Sequence, residues 1–190
     1  MIRLQGRYLG HISYYRKLRS STGDSCDLRG TLGHGFPLND TNLVQKEQRR
    51  AMLNILLVED STTCAALMNV YLRKAIEGGF KLSVAKSLKN ATFLLEDKKF
   101  DVILLDLNLP DSKGADTVHH ISPFAKNIPV VVCSGDDTEK TRENCLRAGA
   151  DEVLCKKEIN PKLLLDKISF VVENYRRDRI SAFMFAHNFS

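Results

Sequence analysis

Short apolar runs alternate with longer amphipathic segments from residue 52 onward, and this alternation limits the folds open to the chain more than any other feature. Runs that are apolar at nearly every residue are typical of parallel strands buried on both faces of a sheet, and such strands are joined by crossover helices. The pattern therefore predicts an α/β fold with five strands, at 54–58, 81–85, 102–105, 130–133 and 152–155. The second run is the least apolar, so we expect it at an edge of the sheet.

The amphipathic segments predict helices at 62–76, 88–96, 115–122 and 138–147. A fifth helix is predicted after Asn160, a favourable N-cap, with Pro161 in its first turn. Right-handed crossovers between parallel strands then favour a doubly wound five-stranded parallel sheet with the strand order 2-1-3-4-5. Ligands of such sheets bind at the carboxyl ends of the strands, beside the point where the strand order reverses.

The two ends of the chain do not follow this pattern. Residues 1–51 hold nine of the 28 Lys and Arg residues and four of the 23 Asp and Glu residues, which leaves 19 of each sign for the rest. The basic excess therefore belongs to this segment, which has no helical or strand period. It is interpreted as a disordered basic extension, as a misassigned start with Met52 as the true first residue, or as an arm that binds nucleic acid. Residues 181–190 are read as a short apolar C-terminal tail.

Cysteine usage and hydropathy bear on the cellular compartment. The chain has five cysteines, an odd number, without a CxxC pair or histidines at metal-binding spacing. It has no apolar run of the roughly 18 residues that a membrane helix requires, and no apolar core of a secretion signal. We therefore expect a soluble cytoplasmic protein that does not bind a membrane.

Polar residues that can carry chemistry follow four of the five predicted strands. Glu59 and Asp60 follow the first strand, Asp106 the third, Ser134 the fourth and Lys156 the fifth. Three carboxylates in one crevice repel one another unless a cation is present, and oxygen ligands with room for water suit Mg²⁺. Lys156 and Ser134 can donate hydrogen bonds to phosphoryl oxygens. Alone, Asp60 would be read as a helix cap and Asp106 as a loop residue, but all five together indicate a site.

Four motifs carry these residues, and in their order and spacing they resemble the receiver domains of two-component response regulators. They are LLVEDS, LLDLNLP followed by Gly114, VVVCSGD and AGADEVLCK. The resemblance extends over residues 52–180 and implies the flavodoxin-like (CheY-like) fold. It implies that Asp106 is the phosphoacceptor, that Ser134 is the switch hydroxyl and that Lys156 is the family's lysine. The implied ligands of Mg²⁺ are Glu59, Asp60, Asp106 and the backbone carbonyl of Asn108.

The chain departs from the family pattern at two positions. Val153 stands where the family often has an aromatic residue, so signalling through an aromatic rotamer is not expected. Lys157 follows Lys156 where the family often has a proline in a cis peptide, and a cis bond without proline costs about 2.5 to 4 kcal/mol. We therefore expect a trans bond between Lys156 and Lys157.

The resemblance implies a phosphorelay protein, not an enzyme with an external product. A sensor histidine kinase or a histidine phosphotransfer protein would supply the phosphoryl group, and the domain would assist its own phosphorylation and dephosphorylation. A downstream protein target, or a second copy in a homodimer, would bind the face formed by helix four, strand five and helix five.

Three other classes of protein compete with this interpretation. A receiver-like adaptor that never accepts phosphate remains an alternative, as does a phosphohydrolase with an aspartate nucleophile. The haloacid dehalogenase type of phosphohydrolase requires a second aspartate two residues on, where this chain has Asn108. A DNA-binding domain is not expected, because too few residues follow the last predicted helix for a helix-turn-helix.

Overall fold

The computed structural model of the chain describes residues 52–187. Five parallel strands form the main sheet, namely β1 (Leu53–Val58), β2 (Phe80–Ala85), β3 (Val102–Asp106), β6 (Val130–Ser134) and β7 (Glu152–Cys155). Their order is β2-β1-β3-β6-β7, and β2 lies at an edge. Counted among these five strands alone, this is the predicted order 2-1-3-4-5, so the predicted fold is confirmed. A short antiparallel hairpin that was not predicted, β4 (Asn108–Leu109) and β5 (Ser112–Lys113), follows β3.

Five helices connect and follow the strands: α1 (Thr62–Ala75), α2 (Leu88–Asp97), α3 (Ala115–Ile121), α4 (Glu139–Ala148) and α5 (Pro161–His187). Side-chain oxygens cap their N-termini where the sequence offers Ser, Thr or Asn, because the first backbone N–H groups of a helix lack helical partners. The predicted cap at Asn160 is confirmed, since its Oδ1 accepts a hydrogen bond from the Leu163 amide at 3.0 Å. Helix α5 continues through residues 181–187 of the predicted tail. Within residues 52–187, no helix is both long enough and apolar enough to cross a membrane.

Each face of the sheet is covered by its own apolar cluster. Alternate residues of β1 and β3 point to opposite faces, so that Leu56 and Ile103 belong to one cluster and Ile55 and Leu104 to the other. Helices α2, α3 and α4 contribute to the first cluster, and α1 and α5 to the second. All four of these strand residues are fully buried. The strands are therefore a rigid support for the residues that follow them at the carboxyl edge.

Helix α4 ends in close contact with the end of α3. Gly149 caps α4 with a φ of 113°, a left-handed conformation that favours glycine. A Cβ atom at Gly149 would lie 2.9 Å from the Oγ of Ser122. That Oγ lies 2.7 Å from the carbonyl oxygen of Val118 in α3 and 3.2 Å from that of Ala148 in α4. The C-terminal end of α4 is thus joined to α3 through the Ser122 hydroxyl, which a side chain at position 149 would displace.

Candidate functional site

The carboxylates of Glu59, Asp60 and Asp106 meet at the carboxyl edge of the sheet. Val58 of β1 pairs with Leu105 of β3, so the next residues, Glu59 and Asp106, lie side by side at the carboxyl edge of the sheet. One oxygen from each of the three carboxylates lies within 4.8 Å of the others. Glu59 and Asp106 are each 4% exposed, whereas Asp60 is exposed. The structure therefore brings together the three acidic residues that the sequence singles out.

Lys156 reaches from the end of β7 into this acidic cluster. Its Nζ lies 2.7 Å from Glu59 Oε2 and 3.0 Å from Asp106 Oδ1. Burial lowers the pKa of Lys156, but the hydrogen bonds to Glu59 and Asp106 and the two carboxylate charges together raise it above its usual value. The ammonium group is therefore charged at neutral pH. It is one cation among three carboxyl groups, so the cluster still offers acidic oxygen ligands that suit a divalent cation.

The two buried carboxylates are also held by nearby backbone amides. Asp106 Oδ1 accepts a hydrogen bond from the Leu107 amide at 2.8 Å, and Glu59 Oε1 accepts one from the Ser61 amide at 3.2 Å. The hydrogen bond from Leu107 and the 3.0 Å contact with Lys156 both fall on Oδ1 of Asp106. These contacts fix the orientation of Asp106, and its second oxygen, Oδ2, can act as a ligand or a nucleophile.

Ser134 is the last residue of β6 and lies beside the end of β3, because its neighbour Cys133 pairs with Asp106. It is 2% exposed, and its Oγ accepts a hydrogen bond from the Asp136 amide at 3.0 Å. Asp136 in turn accepts hydrogen bonds from the Thr141 hydroxyl at 2.7 Å and the Thr138 amide at 2.9 Å. These bonds, the Thr141 bond first, hold the pKa of Asp136 below its usual value. A chain of hydrogen bonds therefore runs from the buried serine to the first turn of α4.

Asn108, whose backbone carbonyl is the remaining implied metal ligand, lies in β4 of the hairpin after Asp106. It pairs with Lys113 of β5, and its side chain is exposed. The base of the hairpin is closed by the Gly114 amide, which donates to the Leu107 carbonyl at 2.8 Å. Gly114 has a φ of 62° and a ψ of −150°, a conformation that favours glycine. The Pro110–Asp111 pair is the sequence signal for the turn of this hairpin.

The two departures from the family pattern are both visible in the structure. Val153 is 7% exposed and packs in the apolar cluster that includes α4, so the position is filled by a small aliphatic side chain. Residues 52–187 contain no cis peptide bond, and the expected trans bond between Lys156 and Lys157 is confirmed.

A buried ion-pair network, which sequence reasoning missed, lies beside Val153. Glu152 of β7 is 7% exposed and binds cations from two helices. Its Oε1 lies 2.8 Å from Arg142 Nη2 of α4, and its Oε2 lies 2.6 Å from Lys167 Nζ of α5. Arg142 Nη1 also donates to the Val153 carbonyl at 2.7 Å, on the free edge of β7. The network therefore ties α4 to α5 across the edge of the sheet.

The donor set was tested for its fit to Mg²⁺ through its chemistry. The side chains that converge are carboxylates. The nearby thiol of Cys133 is buried, and burial is the main cause that raises its pKa to about 12, so it is not a thiolate donor at neutral pH. Hard oxygen donors with one exposed member, Asp60, suit a small divalent ion that keeps several waters. The residues present therefore fit Mg²⁺.

Comparison with known proteins agrees with this geometry. The family model of the response regulator receiver domain matches residues 55–169. The KDP operon transcriptional regulatory protein KdpE of Escherichia coli strain K12 is 34% identical over 106 residues, 55% of this chain and 45% of that protein. The autoinducer 2 sensor kinase/phosphatase LuxQ of Vibrio harveyi is 34% identical over 107 residues, 55% of this chain and 12% of that protein. The chain thus spans less than half the length of these two relatives.

Solved structures show the same fold. The crystal structure of a CheY-like response regulator receiver domain protein from Methanospirillum hungatei JF-1 has a TM-score of 0.59 with this chain. The sequence identity is 23%, and the match covers 67% of this chain and 99% of that one. The predicted CheY-like arrangement of strands and helices is therefore confirmed.

Proposed function

Because the chain belongs to the response regulator receiver domain family of two-component systems, we propose that residues 52–180 form a switch that accepts a phosphoryl group on Asp106. The proposal rests above all on one observation. Lys156 Nζ bridges the carboxylates of Glu59 and Asp106, at 2.7 and 3.0 Å, within a cluster of three acidic residues. A nucleophile, a cation and a set of oxygen ligands are thus present at one edge of the sheet.

In the proposed reaction, an oxygen of Asp106 attacks the phosphorus atom of a phosphohistidine on a partner protein. The new P–O bond forms as the P–N bond breaks, and the electron pair of that bond leaves with the imidazole, which takes up a proton. Mg²⁺, held by Glu59, Asp60, Asp106 and the backbone carbonyl of Asn108, would neutralise charge on the phosphoryl oxygens. The chain contributes mostly positioning, since its carboxylates and lysine are already in place.

Two further residues respond to the new phosphoryl group. Lys156 exchanges a carboxylate partner for a phosphoryl oxygen, which carries more charge and is a strong acceptor. Ser134 turns its hydroxyl towards another phosphoryl oxygen and gives up the bond that its Oγ accepts from the Asp136 amide. Since Asp136 is bonded to Thr138 and Thr141, the change reaches the first turn of α4.

The proposed partners follow from this chemistry. A sensor histidine kinase or a histidine phosphotransfer protein supplies the phosphoryl group, and a downstream protein target binds the face formed by α4, β7 and α5. A homodimer through that face is the second candidate for its occupant. The domain acts on no external substrate but assists its own phosphorylation and its dephosphorylation by water near Asn108 and Asp136. A cytoplasmic location is part of the proposal, on the cysteine usage described above.

Intact-protein mass spectrometry after incubation with acetyl phosphate and Mg²⁺ tests the proposal. We expect one added phosphoryl group in the wild type and none in Asp106→Asn. Asp97→Asn, which removes an exposed carboxylate at the end of α2, is the matched control and should be phosphorylated normally. Phosphorylated Asp106→Asn would refute the assignment, and an unmodified wild type would favour the adaptor. Steady release of phosphate by a wild type without a lasting adduct would favour the phosphohydrolase.

A further inference from the structure

Asp111 joins the hairpin after Asp106 to the N-terminus of α2. It stands in the turn between β4 and β5, and its Oδ1 and Oδ2 accept hydrogen bonds from the Leu88 and Lys89 amides, each at 2.9 Å. Desolvation is the largest single effect and raises the pKa of Asp111, but the hydrogen bonds from the amides of Lys89 and Leu88 together outweigh it and lower the pKa below its usual value. The carboxylate is therefore ionised at neutral pH, where it also interacts favourably with the helix dipole.

Helix α2 has a cap of its own, so the role of Asp111 is not simply to complete a helix. Ser87 is the N-cap, and its Oγ accepts a hydrogen bond from the Asn90 amide at 3.2 Å. Asp111 lies more than 20 residues further along the chain and binds two different amides. Its bonds therefore add a polar connection between two segments that also share an apolar cluster, to which Leu109 of the hairpin and Ala91 of α2 both belong.

The hairpin is anchored at both ends, and Asn108 lies between the two anchors. At the base, the Gly114 amide binds the Leu107 carbonyl at 2.8 Å, and the Thr117 hydroxyl binds Ser112 Oγ at 3.0 Å. At the tip, Asp111 binds α2. Because β4 and β5 are two residues each, a hairpin this short has little stability of its own. The buried side chains of Leu107 and Leu109 hold the residues on either side of Asn108, so the anchors at the base and the tip limit the motion that remains to its backbone.

We propose that Asp111 is a positioning residue for the metal site, which holds the backbone carbonyl of Asn108 in place by fixing the hairpin tip to α2. The inference rests on the proposed function, since that function makes this carbonyl a ligand of Mg²⁺. Loss of the tip anchor leaves the carbonyl free to move, and each metal-binding event must then order the hairpin again. Residues that orient metal ligands typically contribute 10- to 100-fold to metal affinity. Because Asp111 orients a single carbonyl ligand, we expect an effect of roughly 10-fold.

Isothermal titration calorimetry with Mg²⁺ tests this role, with four variants beside the wild type. Asp111→Ala is expected to weaken Mg²⁺ binding roughly 10-fold. Asp111→Asn keeps one acceptor oxygen and is expected to fall between Asp111→Ala and the wild type. Ser87→Ala removes the other cap of α2 and leaves the hairpin tether, so it should bind Mg²⁺ as the wild type does. Asp60→Ala removes a proposed ligand and tests the site itself.

Amide hydrogen exchange without metal gives a second measurement of the same role. In Asp111→Ala the amides of residues 108–113 should exchange faster, whereas in Ser87→Ala the faster exchange should be confined to the first turn of α2. Equal Mg²⁺ affinity of the wild type and Asp111→Ala would overturn the inference, and so would an equal loss in Ser87→Ala. If Asp60→Ala binds Mg²⁺ as the wild type does, or the wild type does not bind it, both the inference and the proposed metal site fail. If Asp111→Ala does not fold, the ranking of Asp111→Asn against Ser87→Ala decides.

Discussion

Replacing the two cations that bind Glu152 should show strong energetic coupling between α4 and α5. The substitutions are Arg142→Met and Lys167→Met, which keep much of each apolar stem and remove the charge. Arg142 comes from α4 and Lys167 from α5, and each binds a different oxygen of the Glu152 carboxylate. With either cation removed, the carboxylate keeps the other, together with the hydrogen bond from the Val153 amide at 3.0 Å.

The magnitudes follow from the exposure of the three side chains. The side chain of Glu152 is 9% exposed, whereas the side chains of Arg142 and Lys167 are 41% and 35% exposed, so water screens the cations but not the carboxylate. Each single substitution is therefore expected to cost about 1 to 2 kcal/mol of unfolding free energy, between the values for exposed and buried pairs. The double substitution leaves a buried carboxylate without a cation, which costs about 3 to 5 kcal/mol. We expect the double variant to lose about 1 kcal/mol more than the sum of the singles.

Urea unfolding followed by far-UV circular dichroism measures these differences, because the chain has no tryptophan to serve as a fluorescent reporter. Each kcal/mol corresponds to about 3 to 5 °C in Tm for a domain of this size. Adding Glu152→Gln to the double variant removes the unpaired charge and should restore part of the lost stability. Additive losses, or a further loss on adding Glu152→Gln, would show that the network does not depend on one shared carboxylate.

Three further predictions concern other parts of the molecule. Burial raises the pKa of Glu152, but Lys167, Arg142 and the Val153 amide lower it overall. The contribution of this carboxylate to the free energy of unfolding is therefore present above pH 4.5, and it is lost as the pH falls through the lower pKa of the folded state. The acid limb of a Tm against pH profile should accordingly be shallower in Glu152→Gln. Ser134→Ala should still accept a phosphoryl group but should not show the change in amide exchange of α4 when beryllofluoride is added. Val153→Ala should show that change, and the loss of packing should lower its free energy of unfolding by about 1 to 3 kcal/mol. Deleting residues 1–51, which lie outside the described residues, should leave Tm and Mg²⁺-dependent phosphorylation unchanged, and a large fall in Tm would show that the segment stabilises the domain.

The sheet and the convergence of the acidic residues could be predicted because they depend on periodicity and strand order. Once β1 and β3 are parallel neighbours, Glu59 and Asp106 come to the same edge of the sheet. Lys156 follows from the same reasoning, because its strand ends at the same edge. The sequence does not, however, predict that its ammonium group binds both carboxylates, since that depends on which rotamer a long side chain adopts.

The side-chain contacts that join one helix or strand to another could not be predicted, for a different physical reason. The bonds of Arg142 and Lys167 to Glu152 depend on how far α4 and α5 lie from the edge of β7, and side-chain packing sets those distances. Asp111 was missed because its partners are backbone amides more than 20 residues earlier, and every helix start carries such amides. Contacts of this kind leave no periodic signal in the sequence.

The two ends of α4 are held in different ways. We therefore expect the helix to tilt as a rigid body about its C-terminal end at Gly149. At Gly149, the hydroxyl of Ser122 joins the last turn of α4 to α3 through hydrogen bonds to the carbonyls of Ala148 and Val118. At the other end, the helix is held by the hydrogen bonds of Thr138, Asp136 and the partly exposed Arg142. Water can replace these bonds one at a time. The helix has ten residues and is about 15 Å long, so a tilt of a few degrees moves its first turn by about 1 Å and its last turn hardly at all. We therefore expect the affinity of a partner that binds the start of α4 to depend on phosphorylation of Asp106. The affinity of a partner that binds the end of α4 beside α3 should not depend on it.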